Sequence, residues 1–148
     1  MAAIANTTTP DLASRLRLAI TRTARRLRQE ADGGLSPSMT SALATVERRG
    51  PLTPSRLAEL ERIQRPTATR VATRLEEAGL VERAVDPLDG RSRVLRVTPE
   101  GRALLRRVRS RKTAFLARRL ATLPHEDLLT LERSAEILER LLDDGRRA

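Results

Sequence analysis

The sequence predicts a mainly α fold that carries one small β-hairpin, and three observations predict it. Hydroxyl–proline pairs recur along the chain at Thr9-Pro10, Ser36-Pro37, Thr53-Pro54 and Thr98-Pro99. Each places a side-chain acceptor where a helix begins with free backbone N–H groups, followed by a residue that has no N–H to leave unsatisfied. Downstream of these pairs, apolar residues return every three or four positions, the period of an amphipathic helix. The period changes once, where two short apolar runs flank a cluster of turn formers.

The first helix is expected over residues 11–29. Leu12, Leu16, Ile20, Ala24 and Leu27 form its stripe, and Arg15, Arg17, Arg22, Arg25, Arg26 and Arg28 occupy much of the remainder. Asp11 stands in the first turn, where the helix dipole favours an acid. Asp32-Gly33-Gly34 breaks the chain. A second helix over 37–49 turns Met39, Leu43 and Val46 inward and stops at Gly50-Pro51. A third, short helix over 54–63 presents Leu57, Leu60 and Ile63. A fourth begins near Pro66 and ends at Ala78-Gly79, with glycine suited to the left-handed position after a helix. Strands are expected over 80–83 and 93–97, joined by Asp86-Pro87-Leu88-Asp89-Gly90. Two more helices follow over 99–121 and 124–144. Leu104, Leu105, Val108, Leu116 and Leu120 stripe one; Leu128, Leu131, Ala135, Leu138, Leu141 and Leu142 stripe the other.

Composition narrows the function. The chain has 148 residues, the usual size of one domain. No apolar run approaches the roughly 20 residues of a membrane span. Residues 1–10 offer neither a basic start nor an apolar core, so no secretory signal is expected and the cytoplasm is the expected location. There is no cysteine and only one histidine, His125. Disulfides and thiol redox sensing are therefore excluded and the softest metal ligands are missing; a zinc or copper site would rest on carboxylates around one imidazole, and neither a metal nor a cofactor is expected. The formal net charge of +10 points to a polyanionic partner. All but one of the basic side chains are arginine, Lys112 being the exception; a GC-rich genome would favour that choice, but it does not explain the net excess.

Residues 36–98 then read as helix, short helix, helix and hairpin: a helix-turn-helix with a wing. In the fourth helix Ala68, Val71, Ala72 and Leu75 make a narrow inward face of small residues. Thr67, Thr69, Arg70, Thr73 and Arg74 face away, with Arg65 and Pro66 at the start. Such a face suits a major-groove reader, since arginine pairs bidentately with guanine and threonine meets base edges, phosphates or the thymine methyl. The helix N-terminus adds a positive dipole. At the wing, Arg91, Ser92 and Arg93 lie past the turn, where arginine suits the negative potential of the minor groove. Asp86, Asp89 and Gly90 are expected to shape the tip, with one aspartate pairing with an arginine.

In this order and at these spacings, residues 35–101 resemble the MarR-type regulators. The resemblance is carried by Gly50-Pro51-Leu52-Thr53-Pro54, Leu57-Ala58, Arg65-Pro66-Thr67-Ala68-Thr69-Arg70-Val71, and Leu75-Glu76-Glu77-Ala78-Gly79-Leu80-Val81-Glu82-Arg83. Asp86-Pro87-Leu88-Asp89-Gly90-Arg91-Ser92 and Val97-Thr98-Pro99-Glu100-Gly101 complete it, and the flanking helices follow the same layout. The resemblance implies a two-fold homodimer on double-stranded DNA, with one recognition helix per subunit in a major groove and the wing toward the minor groove. It implies gene regulation, usually repression, which in the family small anionic or phenolic ligands often relieve from a pocket between two lobes. Gly90 departs from the pattern, standing where the family often has the first of two arginines. Pro124 stands where a serine or threonine cap is usual. Phe115 is the sole aromatic, leaving little to stack a phenolic ring.

The implied organisation is a flexible segment 1–9, a dimerisation helix 10–35, the winged unit 36–98 and dimerisation helices 99–148, all in one structural domain. Wide leucine stripes support the dimer, because exposed apolar patches of that size mark interfaces. Leu12, Leu16, Ile20, Leu116, Leu120, Leu131, Leu138 and Leu141 are the expected contacts. The main alternative is sequence-independent binding of nucleic acid, as in nucleoid-associated proteins; the same charge would serve. RNA readers and membrane-surface helices usually present aromatics, which are almost absent here. No phosphate loop, metal cluster or triad spacing suggests an enzyme. His125-Glu126-Asp127 reads as a helix start with acids in its first turn.

Overall fold

The computed structural model describes residues 7–144. Most of the expected flexible segment 1–9 therefore lies outside the described residues. The elements run α1 (Thr9–Glu30), α2 (Pro37–Arg49), α3 (Pro54–Glu61), α4 (Arg65–Glu77), β1 (Val81–Val85), β2 (Arg93–Val97), α5 (Pro99–Leu120) and α6 (His125–Asp144). The protein is thus mainly α with a two-stranded antiparallel hairpin. The chain divides into two compact units, Met1–Lys112 and Thr113–Ala148.

Three of the four hydroxyl–proline pairs cap helices as their chemistry dictates. Ser36 Oγ accepts the Met39 N–H at 3.3 Å, Thr53 Oγ1 that of Arg56 at 3.2 Å, and Thr98 Oγ1 that of Gly101 at 3.1 Å. At α1 the cap moves back one residue to Thr8. The Thr8 hydroxyl donates to the Asp11 carboxylate at 2.5 Å and accepts the Asp11 N–H at 3.4 Å. Proline is tolerated second as well as first, because both positions lack an intrahelical acceptor for an N–H. Helix α3 ends at Glu61, two residues before the expected end. Arg62 adopts φ 54° there, and the Ile63 N–H turns back to the Ala58 carbonyl at 3.0 Å.

The core of the first unit lies among α2, α3, α4 and the hairpin. Leu43, Leu57, Leu75 and Leu95 are fully buried in it, with Val46, Val71 and Leu105. Burying one such leucine contributes about 1.5–3 kcal/mol. Ala68 and Ala72 are completely covered on the inner face of α4, so that helix packs close. The hairpin pairs Val81 with Val97 through to Val85 with Arg93, so β1 starts one residue later than expected. A single antiparallel β-bridge, absent from the sequence expectation, adjoins it. Leu52 exchanges both backbone hydrogen bonds with Leu95, at 3.3 and 2.8 Å.

Two of the glycines that geometry requires lie beside the hairpin. Gly79 takes φ +70° after α4, the left-handed position expected there. Gly101 lies so near the base of the hairpin that a Cβ would collide with the Leu80 carbonyl oxygen and the Val97 side chain. Thr98 closes the same corner by donating to the Gly79 carbonyl at 2.7 Å. The first half of α5 is anchored by an Arg109–Glu47 ion pair and by Arg111, which donates to the Asp32 carbonyl at 3.0 Å.

Helix α1 buries none of its residues. Leu12, Leu16 and Ile20 are exposed. In the second unit, Phe115 is buried and the Arg119 guanidinium lies over its ring at 4.8 Å. Leu116, Leu131 and Leu141 are exposed there, while Leu120 and Leu138 are half-buried.

Candidate nucleic-acid interface

Helix α4 divides cleanly by face. Ala68, Val71, Ala72 and Leu75 are buried, whereas Arg65, Pro66, Thr69, Arg70 and Arg74 are exposed and Thr67 and Thr73 are half-buried. The division follows from the 3.6-residue period, which puts 68, 71, 72 and 75 on one stripe. No acid appears along the outward side before Glu76 and Glu77 in the last turns.

One outward threonine is already engaged. The Thr73 hydroxyl donates to the Thr69 carbonyl at 3.0 Å and accepts from Arg83 Nη2 at 3.3 Å. Arg83, on β1, also donates through Nε to Glu76 Oε2 at 2.8 Å. Thr73 thus spends its hydroxyl within the protein, unlike Thr67 and Thr69. In the sequence, Arg83 stands at the end of an expected strand and of a stretch that resembles the MarR pattern, with no task of its own. A helical pattern shows which residues point outward but not which strand side chain reaches across to them.

The turn between α3 and α4 is pinned to α2. Glu61, the last residue of α3, accepts from the Ser41 hydroxyl at 2.6 Å and from the hydroxyl of Thr45. Thr45 is the one buried polar side chain in the described core. This contact also lies outside what helical spacing alone reveals.

The wing tip is held by its aspartates. Asp86 Oδ1 accepts the Leu88 N–H at 2.9 Å. Asp89 Oδ1 accepts the Arg91 N–H at 3.0 Å, and its Oδ2 accepts the Ser92 hydroxyl at 2.7 Å. The Asp86 N–H reaches the Ser92 carbonyl at 3.0 Å, and the Ser92 N–H the Asp89 carbonyl at 2.9 Å. These contacts correct two expectations. Among the described residues neither aspartate pairs with a guanidinium; backbone N–H groups and Ser92 take that place, because they lie two or three residues away within the same turn. Gly90 has neither a left-handed φ nor any atom within 4 Å of a would-be Cβ, so its backbone does not require glycine. The Ser92 hydroxyl is directed to Asp89, while Arg91 and Arg93 are exposed. The Asp89 carboxyl is held below its ordinary pKa, first by the Ser92 hydroxyl and then by the Arg91 N–H. Beside the wing root, an open cleft of about 470 Å³ lies among Arg49, Thr53, Arg56 and Asp86 over Leu52 and Val94.

A three-helix unit with a basic, hydroxyl-rich outer helix and an arginine-bearing hairpin defines a winged helix-turn-helix of the kind used by transcriptional regulators. The MarR family model matches residues 35–92. An HTH-type transcriptional regulator of Mycobacterium bovis, itself uncharacterized, is 38% identical over 135 residues, covering 90% of this chain and 94% of that protein. The HTH-type transcriptional repressor MdtR of Bacillus subtilis is 31% identical over 96 residues, or 65% of this chain and 62% of MdtR. The crystal structure of a putative transcriptional regulator from Pseudomonas aeruginosa superposes with a TM-score of 0.80 at 31% identity, covering 92% of this chain and 98% of that one. The chain belongs to the MarR family. It is a transcriptional regulator of that type rather than an enzyme. No helix among the described residues is long and apolar enough to cross a membrane.

Proposed function

We propose that the protein binds a pseudo-palindromic DNA site as a homodimer in the cytoplasm and represses transcription there. The outward face of α4 carries the reading: Arg65, Pro66, Thr67, Thr69, Arg70 and Arg74 stand clear of the core on a helix whose inner face is fully packed. Arg70 and Arg74 supply bidentate donors for guanine edges, and the threonines meet base edges or phosphates. Thr73 contributes through its methyl group, since its hydroxyl is bonded within the protein. Arg91 and Arg93 are directed to the minor groove or its phosphates, on a tip framed by Asp86, Asp89 and Ser92. The net charge of +10 adds a sequence-independent attraction.

Dimerisation is supported by unpartnered apolar side chains in each unit. Leu12, Leu16 and Ile20 are exposed on α1, which buries nothing of its own, and Leu116, Leu131 and Leu141 are exposed in the second unit. Leu120 and Leu138 complete the proposed contact. A two-fold dimer places two recognition helices on half-sites about one helical turn apart. The segments 10–35 and 99–148 would then serve dimerisation, and 36–98 would serve DNA. Repression is supported by kinship with MdtR. A small-molecule effector, if one acts, would shift DNA affinity by binding one conformation better than another.

The test is a titration of purified protein into labelled duplex from upstream of its own gene and into a scrambled duplex, across salt. Tight binding to the first, with weak and steeply salt-dependent binding to the second, is expected. Equal affinities for these and for duplexes selected from a randomised pool would favour the sequence-independent binder.

A further inference from the structure

Arg83 stands outside the reading face, yet it is the one β1 side chain bonded to α4. Its guanidinium bridges two residues one helical turn apart, Glu76 through Nε at 2.8 Å and Thr73 through Nη2 at 3.3 Å. Thr69, Thr73 and Glu76 follow i, i+4, i+7 along one edge of the outward face. Glu76 is therefore an acid at the border of a surface that must approach phosphates. A like charge placed there would cost affinity.

We infer that Arg83 is a positioning residue for DNA reading: it neutralises Glu76 and holds it against the hairpin, off the reading edge of α4. The same fork fixes the Thr73 hydroxyl, so this edge of the helix is locked to the strand that leads into the wing. Arginine suits the task because its donors lie in a rigid plane and span two acceptors, which a lysine ammonium cannot do in the same geometry. Both partners of the ion pair are about one-third exposed, at 31% for Arg83 and 39% for Glu76. Solvent therefore limits what the pair contributes to folding, and its effect falls on the surface it borders. This inference rests on the proposed reading role of α4.

The test uses the full chain and a duplex selected by the wild-type protein from a randomised pool, with anisotropy titrations against selected and scrambled duplexes. Failure to select any duplex over the starting pool would sink the DNA-reading proposal itself, before any Arg83 variant is made. Given a selected duplex, Arg83→Met should lower its affinity about tenfold, a like-charge effect of about 1.4 kcal/mol. Adding Glu76→Gln should restore affinity and discrimination to within about threefold of wild type. Adding Glu82→Gln instead removes a neighbouring acid that Arg83 does not touch, and should restore neither. Rescue by Glu82→Gln as well would reduce the effect to net charge and overturn the inference. So would a double variant at Glu76 as weak as Arg83→Met alone, which is what a direct Arg83–DNA contact predicts. If Arg83→Met does not fold by circular dichroism, Arg83→Lys answers the question. It should bind the selected duplex within about threefold but discriminate less against the scrambled one; unchanged discrimination would refute the locking role.

Discussion

Replacing Glu61 by alanine tests whether the helix-turn-helix is pinned as described. The carboxylate accepts one hydrogen bond from the Ser41 hydroxyl and one from that of Thr45, across the junction of α2 and α3. A hydrogen bond to a charged group contributes about 1.5–3 kcal/mol when sheltered, and an exposed one less. Ser41 is exposed, so its share is small; Thr45 is only 5% accessible, so its hydroxyl would be left buried without a partner. Together these give a loss of about 2–3 kcal/mol. For a chain of this length that corresponds to a fall in Tm of about 5–10 °C. The assay is urea unfolding followed by circular dichroism, at one fixed protein concentration because association would contribute to stability. The midpoint should fall with an unchanged slope. Thr45→Val combined with Glu61→Ala should cost less than the sum of the two single changes, because the orphaned hydroxyl is then absent. A Glu61→Ala loss below about 0.5 kcal/mol, or strict additivity in the pair, would refute the reasoning.

Four further outcomes are expected. Gly101→Ala forces a methyl against the Leu80 carbonyl oxygen and should destabilise by about 2 kcal/mol or more in the same unfolding assay. Arg70→Ala should weaken binding to a selected duplex by about 1–3 kcal/mol while affecting a scrambled duplex less; equal losses on both would argue against base reading. The Asp89 carboxyl should titrate below the ordinary aspartate value in a carbon-13 NMR experiment. Because its folded pKa is depressed, its contribution is complete above the ordinary value of about 3.9 and lost only as pH falls through the lower folded one. Asp89 alone should therefore leave the wing unchanged between neutrality and about pH 5. Leu141→Glu changes a side chain that is 64% exposed, so a monomeric unit should tolerate it. Sedimentation should nevertheless show dissociation, and an intact dimer would move the interface away from this part of α6.

Much of the architecture was readable because its signals are local. A hydroxyl followed by proline acts on N–H groups two or three residues away, so Ser36, Thr53 and Thr98 mark their helices without tertiary help. The inward face of α4 follows from its period. The contacts that were not readable connect residues distant in sequence or depend on backbone angles. Leu52 pairs with Leu95 as a single bridge, too short to leave an alternating pattern. Glu61 meets Ser41 and Thr45 only because α3 folds back on α2. Arg83 reaches Thr73 from a strand and occupies that threonine's hydroxyl. Gly90 is expected to shape the tip with Asp86 and Asp89, yet the carboxylate-to-backbone bonds hold it without any conformation that needs glycine. The site residues of the wing are thus legible as a segment but not in their individual tasks.

The wing tip separates its framework from its display. Asp86 and Asp89, with Ser92, hold the backbone through bonds internal to seven residues, while Leu88 and Arg91 project from it, Leu88 with 97% of its surface exposed. Substitution at a projecting position leaves every bond of the frame in place. The tip can therefore exchange its outward side chains over evolutionary time without refolding the loop; with the wing toward DNA as proposed, single codon changes at these positions would alter its DNA neighbours alone. Loss of Asp89 would act differently, removing the shape on which all such variants depend. Variation among descendants should accordingly be wide at 88 and narrow at 86 and 89, a pattern set by hydrogen-bond geometry rather than by the identity of any one binding site.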